Sequence, residues 1–405
     1  MNAPDAGPPA QAPAPTPAEG PAGAPAEGPA GAPAQGPAGA PAERPPAGPV
    51  DVLVVSLGST VGLRTADRQL ASAIEQAGVR VALVWAAPQR QVRTYALTDL
   101  VWALAARRAA ARGLAVHRPR AVLYSSVTAA LLWPRPGAIR FDALAGANRP
   151  GRHGIWQRPL ERRRLAQAPL LVPASEGAMS ECARACDAER VRTIVLPIPV
   201  EPSGPAAGRR DIAAITYAGN PAKKGLDRVL SAWSRARREG EQLVVAGVEE
   251  EEALAGAPPG VTVVGRLAPE AYRTLLRRSR VFVTAPRRED YGAAQLEALA
   301  DGCQLVTTVA PGPYAALPLA RELDPRLVGA DLASSLRIAL DDPRPGYAER
   351  AAAALWPYRE AAFRAAVADH LVPRLLAHAP APAWAQGPEH GSAPPPTGPV
   401  APPAT

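Results

Sequence analysis

Residues 281–308 read VFVTAPRREDYGAAQLEALADGCQLVTT. The opening β-branched and aromatic run predicts a strand over Val281–Thr284, and the closing run predicts another over Leu305–Thr308. Between them, Gly292–Ala300 carries helix-forming residues with apolar positions at helical spacing. A helix of this length joining two short apolar strands is the crossover of a parallel βαβ unit. The loop and helix carry Glu289 and Glu297, eight positions apart, with Gly292 and Ala293 near the helix start. N–H groups in a first helical turn lack intrahelical partners and attract anions. A carboxylate accepts two hydroxyl hydrogens, which suits the vicinal diols of a sugar. Taken singly, Glu297 also fits an ordinary solvated helix glutamate.

The same alternation extends in both directions. Upstream, strands are predicted at Asp51–Ser56, Val79–Val84, Ala121–Tyr124, Ala138–Phe141, Leu170–Val172 and Thr193–Leu196. Helical patterns fall between them at Thr65–Ala77, Thr98–Arg112, Pro159–Gln167 and Glu176–Asp187. Closer to the opening stretch, strands at Ile212–Tyr217, Gln242–Ala246 and Val261–Val264 alternate with helices at Leu226–Arg238 and Pro269–Arg278. This is an α/β chain with two doubly wound, Rossmann-like domains facing across a cleft. The loop Pro197–Arg210 marks the join, giving a first domain over 50–204 and a second domain over 205–347. A C-terminal helix is expected over 348–378. Ligands in such folds bind beyond the carboxyl ends of the strands.

Both ends have a different composition. Of 49 prolines, 15 precede Val50 and 9 follow His378. An eight-residue repeat fills Gly20–Glu43. Such segments bury too little apolar surface to offset chain ordering, so 1–49 and 379–405 are expected to be disordered. The formal charge is +8; the flanks contribute −3 and −1, so the segment between them carries +12. That balance favours an anionic partner. No run approaches the length of a membrane span, and no basic-then-apolar signal pattern opens the chain. With three cysteines, a disulfide scaffold is excluded and a cytoplasmic location is expected.

Two further loops carry chemistry. Leu57–Arg64 (LGSTVGLR) follows the first strand, and its Gly58 and Gly62 permit close backbone approach to a ligand or simply a tight turn. Ala218–Asp227 (AGNPAKKGLD) places Lys223 and Lys224 where a helix begins. A departing diphosphate would be stabilised there without a metal, although two solvated lysines near a turn read the same way. No Asp-x-Asp occurs, which argues against a metal-dependent site. Cys182 and Cys186 are spaced C-x3-C with no second ligand pair near in sequence, so helix packing is favoured over zinc. Arg149, Arg152, Arg158 and Arg162–Arg164 share a segment with Ile155, Trp156, Leu160 and Leu165. This suits either a solvated helix or peripheral contact with an anionic membrane at the inner face. Aromatic interleaving of the kind that binds single-stranded nucleic acid is absent, and no nucleic-acid partner is expected.

Over Ala214–Pro313 these motifs, in this order, resemble the donor-binding domain of family 4 retaining glycosyltransferases, which have the GT-B fold. The pieces are AGNPAKKGLDRVLSAW, LVVAG, VTVVGRLAPEAYRTLLRRSRVFVTAP and EDYGAAQLEALADGCQLVTT. The resemblance implies that Lys224 contacts the diphosphate of a nucleotide sugar and that Gly292 and Ala293 offer it N–H groups. It further implies that Glu297 binds the ribose, Glu289 holds the transferred sugar, Arg266 and Leu267 border the base, and Gly62 approaches from the first domain. It also implies that the C-terminal helix, roughly Glu349–Leu371 with a kink at Trp356–Pro357, crosses back to the first domain. Two positions depart from the family. Its basic residue after the strand-end glycine is Asn220 here, with Lys223 the nearest replacement. Its His-Asp pair reads Phe141-Asp142, so Asp142 remains while the histidine is lost; His153 lies in a nearby glycine-rich loop.

The expected function is transfer of a sugar from a nucleotide diphosphate donor to an acceptor hydroxyl, with retention and without a metal or other cofactor. Two rivals stand beside it: a nucleotide-sugar epimerase or hydrolase of the same fold, and a non-catalytic scaffold.

Overall fold

Val52–Ser56 (β1) is buried at every position, a pattern only an inner strand covered on both faces allows. It pairs in parallel with Val81–Trp85 (β2) and Ala121–Tyr124 (β3), Val52 lying opposite both Val81 and Ala121. Ala138–Phe141 (β4) and Leu171–Pro173 (β5) complete a sheet of order β2-β1-β3-β4-β5. Ile212–Tyr217 (β6), Leu243–Ala246 (β7), Val261–Val263 (β8), Ser279–Thr284 (β9) and Gln304–Thr307 (β10) form a second parallel sheet. Its order is β10-β9-β6-β7-β8. The computed structural model describes residues 48–89, 92, 94–149, 151–185, 193–205, 208, 210–249 and 257–377. The proline-rich tails, apart from Gly48 and Pro49, and Cys186 lie outside the described residues.

The expected α/β class with two doubly wound sheets is therefore the fold adopted. In each sheet the winding reverses once, between β1 and β3 and between β6 and β9. Those two reversals open the crevices in which ligands of such sheets bind.

Helices cover both sheets. The first domain carries Val61–Gln76 (α1), Tyr95–His117 (α2), Val127–Ala130 (α3), Ala145–Asn148 (α4), Gln157–Gln167 (α5) and Glu176–Ala185 (α6). The second carries Pro221–Lys224 (α7), Leu226–Ala236 (α8), Pro269–Arg278 (α9), Ala293–Ala300 (α10), Ala316–Leu323 (α11), Leu332–Asp341 (α12) and Tyr347–Ala354 (α13). Thr60 starts α1 by accepting the Leu63 N–H at 3.1 Å, a conventional N-cap. Thr193–Leu196, expected as a strand, lies beside β5 through a bridge from Thr193 to Leu171 and through the Ile194 and Leu196 N–H groups, which donate to the Leu171 and Pro173 carbonyls at 2.9 Å, without forming a strand of its own. Pro197 and Pro199 follow, and proline has no N–H to extend a ladder.

The chain then returns. Tyr347, Ala351 and Leu355 belong to the second core, and Trp356–Tyr358 forms a 3-10 turn with Pro357 at its start. Beyond it, Glu360–Ala366 (α14), a π turn at Val367–Leu371 and Val372–Ala377 (α15) lie on the first domain. Phe363, Val367 and Leu371 pack with Leu70, Ile74 and Leu123 there, all nearly inaccessible to solvent.

Candidate active site

The β6/β9 reversal brings Lys224 and Glu289 together. Asn220 caps α7, its Oδ1 accepting the Lys223 N–H at 2.9 Å. Gly225 follows with φ +66°, and a Cβ there would lie 2.0 Å from the Ala285 carbonyl oxygen. Only glycine lets the α7–α8 turn press so closely against the end of β9. The two loops are then tied by Arg287, whose N–H donates to the Lys223 carbonyl at 2.9 Å. Its guanidinium pairs with Asp227 at 2.7 Å.

Held this way, Lys224 Nζ donates to both oxygens of Glu289, at 2.9 and 2.7 Å. Gln295 Nε2 donates to the same carboxylate at 2.9 Å. Glu289 is only 3% exposed, and its backbone is clamped by the Pro311–Tyr314 loop. Its N–H donates to the Pro311 carbonyl at 3.0 Å, and its own carbonyl accepts the Tyr314 N–H at 3.3 Å. Lys223 pairs with the adjacent Asp290. Burial works to raise the Asp290 carboxyl, but Lys223 and Arg288 outweigh it and hold the group below its usual range.

Asp142, at the end of β4, faces this cluster from the first domain. Its side chain keeps solvent exposure, yet the surrounding protein mass raises its carboxyl above the usual range. The negative charge of Asp290 adds to the rise, against its own and Ala143's N–H groups and Lys223. Phe141 points the other way and is buried in the first core. Arg288 spans the two domains: Nε donates to Asn148 Oδ1 at 2.7 Å and Nη2 reaches Glu181 at 3.2 Å. The backbones also touch, since a Cβ on Gly177 would lie 2.2 Å from the Pro313 carbonyl oxygen.

Glu297 projects from the second turn of α10. Its carboxylate makes no hydrogen bond or ion pair among the described residues. Burial raises its carboxyl above the usual range, with Arg273 opposing and Asp301 adding to the rise. Arg273 is committed to Asp301, at 2.6 and 3.0 Å. The buried Tyr272 hydroxyl also has no hydrogen-bond partner among the described residues; its pKa is pushed up by burial and then by the charge of Glu297. Its ring packs on Tyr217, centroids 5.5 Å apart. Gly292 takes a left-handed conformation (φ +89°) just before α10, which has no side-chain cap, and Ala293 is exposed at its first position.

The remaining expected residues are spread along the same carboxyl edges. Arg266 and Leu267 sit on the loop after β8, both exposed, with Arg266 3.5 Å from Glu249. Gly62 lies exposed in the first turn of α1, with open space where a Cβ would be. The constrained glycine of that loop is Gly58 (φ +60°), whose Cβ would meet Trp85 at 2.9 Å. Nothing is described of the His153 side chain.

Residues 212–332 match the family model described as Glycosyl transferases group 1. The chain also superposes on sucrose-phosphate synthase from Thermosynechococcus elongatus with a TM-score of 0.57 and 16% identity, covering 81% of this chain and 99% of that one. WaaG, a glycosyltransferase involved in lipopolysaccharide biosynthesis, gives 0.58 and 16% identity over 78% and 98% of the two chains. HepE from Anabaena, solved with UDP and glucose, gives 0.57 and 13% identity over 80% and 99%. The fold is GT-B. None of the curated proteins matches the chain.

The segment that matches the family model contains both Lys224 and Glu289. Gln295, Tyr272, Arg288 and Tyr314 were not singled out by sequence. Gln295 sits between the two glutamates and was within reach of helical spacing. The Arg288–Asn148 contact joins positions 140 residues apart, and no local pattern signals it. Among the described residues, no group of three or more His, Cys, Asp or Glu is placed to hold a metal ion. No helix among them is long and apolar enough to cross a membrane.

Proposed function

We propose that this chain is a retaining, metal-independent glycosyltransferase of the family 4 type, moving a sugar from a nucleoside diphosphate to an acceptor hydroxyl. The observation that carries the reading is the Lys224–Glu289–Gln295 cluster at the β6/β9 reversal, with the unpaired Glu297 on the helix that follows. The donor diphosphate takes the space before α10, meeting Lys224 and the N–H groups at Gly292 and Ala293. Charge growing on the departing diphosphate is neutralised by Lys224, with Lys223 beside it. Glu297 accepts the ribose hydroxyls, Arg266 and Leu267 border the base, and Gly62 closes the donor from the first domain. When the diphosphate draws Lys224 away, Glu289 is left to accept hydroxyls of the transferred sugar.

In the retaining mechanism the leaving phosphate oxygen takes the acceptor proton, so catalysis rests on positioning and charge stabilisation rather than on a protein nucleophile. Asp142 borders the acceptor side. HepE holds UDP and glucose, a nucleotide and a sugar of the classes assigned here. Both departures from the family have structural uses: Asn220 caps α7 and Phe141 fills the first core. The protein acts in the cytoplasm.

Titration calorimetry with a panel of nucleoside diphosphates and nucleotide sugars, each repeated in EDTA, tests the reading. Binding of at least one donor, unchanged by EDTA, is expected. If no member of the panel binds, the donor assignment falls and the scaffold reading takes its place. Release of free or isomerised sugar without any acceptor would select the hydrolase or epimerase.

A further inference from the structure

Six arginines and one glutamate lie between residues 145 and 168, and the structure separates those with structural partners from those without. Arg149 donates to Asp99 at 2.8 Å. Arg158 donates to the Gly151 carbonyl. Arg164 donates to the Leu131 carbonyl and lies over the Trp133 ring. The single acid, Glu161, is buried and accepts the Ala145 and Gly146 N–H groups. Arg152, Arg162 and Arg163 are exposed, and their guanidiniums make no ion pair or hydrogen bond among the described residues. On α5 the exposed positions Pro159, Arg162, Arg163 and Ala166 share one face, while Gln157, Glu161 and Leu165 are buried on the other.

Apolar side chains accompany these cations. Ile155, just before α5, is 68% exposed. Trp156 Nε1 donates to the Ala96 carbonyl at 3.2 Å, and Gln157 donates to Asp99 at 2.9 Å, so the start of α2 is held against this segment. That brings in Leu97, 47% exposed, and Val92, 43% exposed and tied to Thr98. Three of the seven most exposed large apolar side chains of the described residues therefore gather here. Leu165, Leu160 and Trp156, grouped with them in sequence, belong to the first core or its margin.

We propose that this surface rests on an anionic phospholipid bilayer. Ile155, Leu97 and Val92 enter the boundary between headgroups and acyl chains, and Arg152, Arg162 and Arg163 meet lipid phosphates. Exposed aliphatic side chains beside unpaired guanidiniums fit this partner better than single-stranded nucleic acid, which stacks on exposed aromatic faces. Asn148, one residue from Arg149, is the first-domain end of the Arg288 bridge, so the surface adjoins the mouth of the cleft. Docking stands whether or not the cleft transfers a sugar; delivery of a lipid-carried acceptor to it rests on the transferase reading.

The full chain is sedimented with vesicles of phosphatidylcholine alone and of phosphatidylcholine with phosphatidylglycerol, at low and high salt, without donor. Binding only to the phosphatidylglycerol vesicles, with release by salt, is expected. The double variant Arg162→Glu/Arg163→Glu should weaken binding by more than about tenfold, and Ile155→Ser/Leu97→Ser by about fivefold or more. All four positions are exposed, so both variants should melt with the parent. Absent binding, equal binding to neutral vesicles, or binding that neither double variant weakens would overturn the proposal.

Discussion

Lys224 and Glu289 form a two-point ion pair between the loops after β6 and β9, with the carboxylate almost wholly buried and the ammonium part-exposed. A donor diphosphate competes for the same ammonium. Lys224→Ala should therefore lower kcat more than it raises the donor KM, because the charge it meets grows as the diphosphate departs. Glu289→Ala should also act mainly on kcat and should change the preference among sugars. Steady-state kinetics on the two variants decides this; wild-type turnover in both would place the chemistry elsewhere.

Glu297 gives a prediction in pH. Its carboxyl is raised, so the folded protein favours the protonated form more than the unfolded chain does. As pH falls through this raised value the carboxylate is lost, and the donor KM should climb while kcat holds. Glu297→Gln should remove that dependence and raise the KM at neutral pH by about tenfold or more, as expected for a lost charge-assisted hydrogen bond. A KM profile for Glu297→Gln that still rises on acidification would assign the titration to another group.

Arg288 and Gly177 govern how the domains meet. Arg288→Ala removes the reach to Asn148 and Glu181, and should reduce turnover while donor affinity measured by calorimetry changes little. Gly177→Val places side-chain atoms against the Pro313 backbone and should increase the radius of gyration in small-angle scattering. Scattering from both variants that superposes on the parent's would show that these contacts do not set the interdomain arrangement.

Phe363 tests the returning C-terminal segment. It is 2% exposed, within the core that includes Leu70 and Ile74. Phe363→Ala should cost about 3–5 kcal/mol of stability, read as a lower denaturant midpoint, despite its distance from the donor site. An unchanged midpoint would mean the segment contributes little to that core.

Much of the architecture is legible because parallel strands are apolar on both faces. Ala121–Tyr124, Ala138–Phe141 and Ile212–Tyr217 stand out as short buried runs with the bounds expected of them. The two helices between Val309 and Asp342 do not stand out. Ala316–Leu323 contains Pro318, and Leu332–Asp341 is short and broken from its neighbours by proline and glycine. At the candidate site, Glu289 and Glu297 are visible because a single loop and helix carry both. Asn220 looks in sequence like a missing phosphate contact, whereas in the fold it is a helix cap. The Arg288 bridge depends on the closeness of two domains, which periodicity does not encode.

The return of Phe363, Val367 and Leu371 to the first domain has a consequence for biosynthesis. On the ribosome, the face bearing Leu70, Ile74 and Leu123 emerges early, but the residues that cover it are translated only after the whole second sheet. Until then that half of the protein is a nascent chain with a sticky side, a natural client for chaperones. A stop codon anywhere before Glu360 releases it in that state, even when every residue around Lys224 and Glu289 has been made.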